Sequence, residues 1–228
     1  MREIVLDTET TGLDPNDGHR IVEIGCVELI DHLPTGNNFQ RYLNPERLVG
    51  ESERIHGIAD AFLADKPRFG EVALEFIAFI GDAPLVIHNA GFDLKFLNHE
   101  LARASHPPIP FARAIDTIEI AKAKIPGVRY SLDELCKRFS IDLSGRVKHG
   151  ALLDAELTAR LYLELVGGRQ TRLMLGPGDS QAAIAVVEAA VARTRPNALA
   201  SRLSPAEQDA HVAFIAGELG KDPIWNWN

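Results

Sequence analysis

The first dozen residues constrain this chain more than any other stretch. Ile4, Val5 and Leu6 form an unbroken apolar run, the pattern of a central strand covered on both faces, and Asp7 and Glu9 follow it two residues apart. Side chains alternate along a strand, so both carboxylates point to one side of the sheet. Neighbouring like charges repel and raise a pKa unless a cation lies between them, and a divalent ion with oxygen ligands meets that need. A strand running into a polar turn with two solvated acids accounts for the pair equally well, so the rest of the chain has to decide.

Ile21–Ile30 reads as a second strand and residues 38–43 as an alternating third, joined by a turn at Pro34-Thr35-Gly36-Asn37. Ser52 opens a short helical piece ending at Ile55-His56-Gly57-Ile58, and residues 68–80 carry helix-period apolar residues up to Gly81. Residues 84–87 form a short apolar strand that runs into His88-Asn89-Ala90-Gly91-Phe92-Asp93. Early strands close in sequence and later ones separated by helices indicate an α/β fold, a mixed sheet with helices packed on it. Asp116 and Ser131 read as N-caps of two short helices.

Two further acids sit on apolar helix faces. Asp93 precedes Phe96, Leu97 and Leu101 by three, four and eight residues, and Asp154 precedes Leu157 and Leu161 by three and seven. Either acid alone is explained by a neighbouring Arg or Lys in the core. Together with Asp7 and Glu9 they converge on one interior. His149, five residues before Asp154, is the only well-placed histidine beside them. Four carboxylates without cysteine form a hard-oxygen site for Mg²⁺ or Mn²⁺ rather than zinc, with room for two ions. Such a pair serves in-line displacement at phosphorus, with His149 as general base. Walker and kinase signatures are absent, which leaves phosphodiester hydrolysis.

Cys26 and Cys136 lie far apart without metal-ligand spacing and read as buried thiols. The formal net charge of -8 opposes bulk electrostatic binding of nucleic acid, so contact with it has to be local. No apolar run spans a bilayer and no apolar signal region opens the chain, so the expectation is a cytoplasmic protein without membrane contact.

Asp7-Thr8-Glu9-Thr10-Thr11-Gly12, His88-Asn89-Ala90-Gly91-Phe92-Asp93 and His149-Gly150-Ala151-Leu152-Leu153-Asp154 resemble the three exonuclease motifs of the DEDD superfamily, in its histidine (DEDDh) branch. Within that branch, Ile55-His56-Gly57-Ile58, the Leu-Leu-Asp-Ala-Glu stretch and Gly167-Gly168-Arg169-Gln170 are most similar to the epsilon family of proofreading 3'-5' exonucleases of bacterial DNA polymerase III, over roughly residues 2–175. The resemblance implies a ribonuclease-H-like fold with a mixed five-stranded sheet flanked by helices. It implies two divalent ions, one on Asp7, Glu9 and Asp154 and a second bridged by Asp7 and supported by Asp93. It also implies that Thr8, Glu9, Thr10, Leu13, His56, Asn89 and Phe92 contact the 3'-terminal nucleotide of single-stranded or frayed DNA.

After residue 168 the character changes. An exonuclease domain over residues 1–168 is expected to be followed by a linker, 169–203, and by a helix and tail, 204–228. Ser204-Pro205-Ala206-Glu207 supplies an N-cap, a first-turn proline and an acid, so a helix is expected to end near Gly220. Trp225 and Trp227 either dock on a partner or fold back on the chain itself. The resemblance implies a sliding-clamp contact through Gln170, Leu173 and Leu175, with leucine where the family peptide ends in an aromatic. It also implies docking of residues 204–228 on the alpha subunit of DNA polymerase III, with a small theta-like subunit as a further partner and a nucleoid-associated location through the replisome. The catalytic residues read phosphate and metal, so they do not separate this role from a stand-alone exonuclease of RNA maturation or DNA repair; only the tail does. A decayed, non-catalytic module conflicts with five filled catalytic positions, and a small-nucleotide phosphatase needs a closed pocket that the sequence does not reveal.

Overall fold

The computed structural model describes residues 1–146, 148–167 and 204–218. Its sheet has five strands in the order β3-β2-β1-β4-β5. The middle strand, β1 (Arg2–Thr10), pairs antiparallel with β2 (Ile21–Ile30), which pairs antiparallel with β3 (Leu33–Tyr42). On its other side β1 runs parallel to β4 (Leu85–Ile87), and β4 parallel to β5 (Ala114–Asp116). Helices α1 (Glu53–His56), α2 (Asp60–Leu63) and α3 (Phe69–Ile80) lie between β3 and β4 in the chain, and α4 (Ala90–Arg103) between β4 and β5. After β5 come α5 (Thr117–Lys124), α6 (Leu132–Arg138) and α7 (Ala151–Val166). This is the mixed, helix-flanked α/β sheet that the motifs imply.

Alternation along β1 sorts the core into two layers. Ile4 and Leu6 pack with Phe69, Phe76, Phe96 and Leu97 of α3 and α4. Val5 faces the other way, with Val27 and Val86, onto Ala155, Ala159 and Tyr162 of α7. The same parity carries Asp7 and Glu9 to the α7 face and Thr8 to the α4 face. Cys26 and Cys136 are free and buried, as expected.

Three local features differ from the sequence reading. The β2-β3 turn is not at residues 34–37: Ile30 pairs with Leu33, and Asp31 and His32 make a two-residue loop with φ of 51° and 66°. Such a loop suits the twist of a hairpin but usually recruits Asn or Gly, so this sequence hides it. Pro34 and Gly36 lie inside β3, where the sheet edge tolerates a missing N–H donor. β5 is only three residues long and carries no apolar run of its own. Ser131 occupies the N-cap position of α6 but its side chain makes no capping bond, whereas Asp116 accepts from Ile118 N at 2.8 Å and caps α5 as expected.

Contacts divide the chain into two units, Met1–Leu173 and Met174–Asn228. In the second, α8 (Pro205–Glu218) follows a complete capping box: Glu207 N donates to Ser204 Oγ at 3.3 Å and Ser204 N to Glu207 Oε2 at 2.8 Å. Gln170, Leu173, Leu175, Trp225, Trp227 and the linker over 169–203 lie outside the described residues.

Candidate active site

The end of β1 meets α7 because one residue of β2 has no side chain. Gly25 pairs with Asp7 across the ladder, and a Cβ there would lie 2.2 Å from Leu152 N. The first turn of α7 thus rests on the sheet beside Asp7, and one turn carries the chain to Asp154. Next along the same face, Glu23 pairs with Glu9 and accepts from Ala151 N at 3.0 Å, one of the amides that a helix start leaves without an intrahelical partner. Glu23 is 1% exposed, and its other oxygen accepts from Gln40 Nε2 at 2.7 Å.

Asp93 arrives from the opposite layer. It lies in the first turn of α4, buried, with its Oδ1 accepting from Thr8 N at 2.9 Å and from Thr8 Oγ1 at 2.7 Å. Thr8 is the partner that an acid on an apolar face requires, and its hydroxyl is occupied with holding Asp93. Asn89 precedes α4 in the left-handed region, φ 69°, which turns the chain sharply between β4 and the helix. Asp116 secures that turn by accepting from Asn89 N at 3.3 Å and Ala90 N at 3.0 Å.

Four carboxylates at one strand end make a strongly negative site. Asp7 is pushed well above the usual carboxylate range, by burial first and then by the charges of Asp93, Asp154 and Glu9. Burial, Asp154 and Glu23 raise Glu9 to about 8. Asp93 is raised to about 7 by burial, against the opposing pull of the Thr8 hydrogen bonds. Among the described residues, ligand atoms of Glu9, His149 and Asp154 all lie within 4.8 Å of one another. Carboxylate oxygens crowded together in this way, with an imidazole at their edge, fit divalent ions.

His149 is 46% exposed, with Nδ1 at 3.3 Å from Asp154 Oδ2, and its backbone N donates to Ile55 O at 3.4 Å. That bond ties the loop ahead of α7 to the segment holding His56. Ile58 N donates to His56 Nδ1 at 3.0 Å, so the ring proton sits on Nε2, which is buried. Burial lowers the His56 pKa and keeps the ring neutral. Thr10 Oγ1 donates to Gly12 O at 2.6 Å and shapes the turn that leaves Leu13 83% exposed. Phe92 is partly buried, its ring centroid 5.0 Å from that of Phe96.

Two residues of the site escaped the sequence reading. Glu23 sits in an apolar strand, where the one available signal was its neighbour Gly25, a strand glycine of the kind that marks close backbone approach. Arg146 lies in coil and announces nothing, yet its guanidinium is forked onto Asp154, with Nε 2.6 Å from Oδ1 and Nη2 2.5 Å from Oδ2.

Comparisons with known proteins place relatives beside this chain. The exonuclease family model RNase_T matches residues 4–162. A DNA polymerase III subunit epsilon of Rickettsia felis is 55% identical over 175 residues, 75% of this chain and 76% of the relative. The protein of the same name from Escherichia coli K12 is 48% identical over 188 residues, 79% and 77% of the two chains. That of Pasteurella multocida is 45% identical over 223 residues, 94% and 88%. Among solved structures, exonuclease X in complex with 5' overhanging duplex DNA is 29% identical with a TM-score of 0.58, covering 72% of this chain and 91% of that one. The nuclease domain of 3'hExo, a DEDDh family member bound to rAMP, shares the fold with a TM-score of 0.64 at 24% identity over 73% and 92%.

Proposed function

The chain belongs to the RNase_T exonuclease family, and on that premise we propose that it is the proofreading 3'-5' exonuclease subunit of a bacterial DNA polymerase III, removing mismatched 3'-terminal nucleotides as 5'-monophosphates. One observation carries the choice over a stand-alone exonuclease: the likeness to the Pasteurella epsilon subunit covers nearly the whole chain, so it continues past the nuclease domain into the tail.

Asp7, Glu9, Asp93 and Asp154 would hold two divalent ions, Mg²⁺ or Mn²⁺. When bound, such ions polarise the phosphate and stabilise the attacking and leaving oxygens of an in-line displacement. His149, at the solvent edge of the cluster, takes the proton of the attacking water, a role worth ~10²–10⁴-fold in rate. Thr8 fixes Asp93, and Glu23 fixes the start of α7, so ligands from two layers keep one geometry. His56 presents its Nε2–H as a neutral donor to the terminal nucleotide. Leu13 and Phe92 give it apolar surface without reading a base edge, which suits removal of any base. Thr10 and Asn89 shape the turns that border this pocket. A mismatched end reaches the site more easily than a paired one because it is already unpaired.

Residues 204–228 dock on the polymerase subunit, and in α8 the exposed Val212 and Phe214 leave apolar surface for that contact. Gln170, Leu173 and Leu175 serve the sliding clamp, and a small theta-like subunit is a further partner. A partner that carries most of the DNA contact also accounts for the acidic net charge. The reading is tested on single-stranded, 3'-mismatched and paired primers with Mg²⁺ or Mn²⁺. Faster release of monophosphate from mismatched than from paired ends is expected; equal rates, or cleavage of RNA alone, would discard the proofreading role. Co-elution with the polymerase subunit should disappear when residues 204–228 are deleted.

A further inference from the structure

The side chain of Arg146 is 7% exposed and engages three groups around the site. Its Nε and Nη2 take both oxygens of Asp154, Nη2 also donates to His149 Nδ1 at 2.8 Å, and Nη1 reaches Asp133 on α6. A forked guanidinium on a carboxylate uses both oxygens at once, and a nitrogen that accepts from it cannot accept from water at the same moment. One cation therefore holds the two groups that hydrolysis needs free, a ligand carboxylate and an acceptor nitrogen of the base. An ion bound to Asp154 needs an oxygen that Arg146 now has, and its charge repels the guanidinium. Asp133 is 46% exposed, so it offers the displaced side chain a seat at the solvent edge that it already touches.

We propose that Arg146 is an internal competitor for the metal: it neutralises Asp154 and occupies His149 Nδ1, and when a divalent ion takes Asp154 it withdraws toward Asp133 and releases His149. The inference rests on the metal reading of the site and adds a residue that sets how tightly, and in what order, the site loads. In its resting place the guanidinium also offsets repulsion among the acids at the end of β1, so α7 and β1 hold together before an ion arrives. As a positioning residue it acts through Asp154 and His149, and the direction of its effect separates it from a simple brace. Loss of a brace loosens a site and weakens metal binding; loss of a competitor strengthens it.

Calorimetric titration of the full chain with Mn²⁺ measures this. Arg146→Gln should bind Mn²⁺ about ten-fold more tightly than wild type and melt at a lower temperature in EDTA. Equal or weaker Mn²⁺ affinity in Arg146→Gln overturns the proposal. Because that variant removes a buried cation, the wild-type chain provides a second test: the Arg146 Nε–H resonance, followed by NMR during Mg²⁺ titration, should leave its hydrogen-bonded position as the site saturates. An unchanged resonance at saturation overturns the proposal as well. Asp154→Asn separates the two levels: Mn²⁺ binding equal to wild type sinks the metal reading itself. Loss of binding there together with unchanged affinity in Arg146→Gln sinks only the competition.

Discussion

Glu3 and Glu9 lie on the same strand and the same face, with α7 opposite both, and they are 1% and 9% exposed. Glu3 accepts from Tyr162 Oη at 2.8 Å and lies 2.8 Å from His32 Nδ1. Glu9 faces Asp154 and Glu23, and the charge of each raises its pKa further after burial. A buried acid surrounded by donors belongs to the fold, because its charge is answered by the protein. A buried acid crowded by acids is answered in part by Arg146 and otherwise by protons or added cations, so its burial costs stability. One strand thus separates a structural carboxylate from metal-ligand carboxylates by what α7 places across from each: a phenol at Tyr162 and an acid at Asp154.

Substitution at either end should break this contrast in opposite ways. The largest effect is on activity: Asp7→Ala should abolish release of 5'-monophosphate while leaving the melting temperature in EDTA equal to or above that of wild type, because one of four repelling charges has gone. A fall in that melting temperature would mean that Asp7 is structural. Next comes pH. The folded chain holds the Glu9 proton with a pKa of about 8 against an ordinary 4.5, and Asp93 with about 7 against 3.8. Unfolding between these values releases protons, so this contribution is full at low pH and is lost as pH rises towards about 8. Melting curves in EDTA from pH 5.5 to 8 should therefore fall with pH, and excess Mn²⁺ should flatten them; a rise with pH in EDTA would contradict the cluster. The smallest effect belongs to the structural end. Glu3→Gln should cost about 1–3 kcal/mol in denaturant melts with kcat unchanged, because one buried hydrogen bond is lost. A large loss of kcat there would erase the distinction between the two ends.

Much of this was legible before any coordinates. β1, β2, α3, α4 and α7 announce themselves by apolar runs and helical period, and Asp93 and Asp154 stand out as charges on apolar faces. The features that stayed hidden depend on contacts rather than on local pattern. Asp31 and His32 turn the hairpin through left-handed conformations without the Asn-Gly or Asp-Gly pair that marks such a loop. Pro34 and Gly36 look like a turn and instead lie within an edge strand. β5 is a strand only because β4 lies beside it. Arg146 lies in coil between α6 and α7, and its importance comes wholly from reaching Asp154 and His149. The sequence carries the ligands of the site openly and conceals the residues that hold those ligands.

The central claim is that the acids at the end of β1 form a metal site and not a set of structural carboxylates. Its most direct test is the melting temperature of the wild-type chain and of Asp7→Asn at pH 8, in EDTA and in saturating Mn²⁺. The wild type should gain roughly 2.7 kcal/mol when Mn²⁺ stands at a hundred times its dissociation constant, and Asp7→Asn should gain much less at the same concentration. A wild-type chain that melts at the same temperature with and without Mn²⁺, or an Asp7→Asn chain that gains as much, would contradict the account.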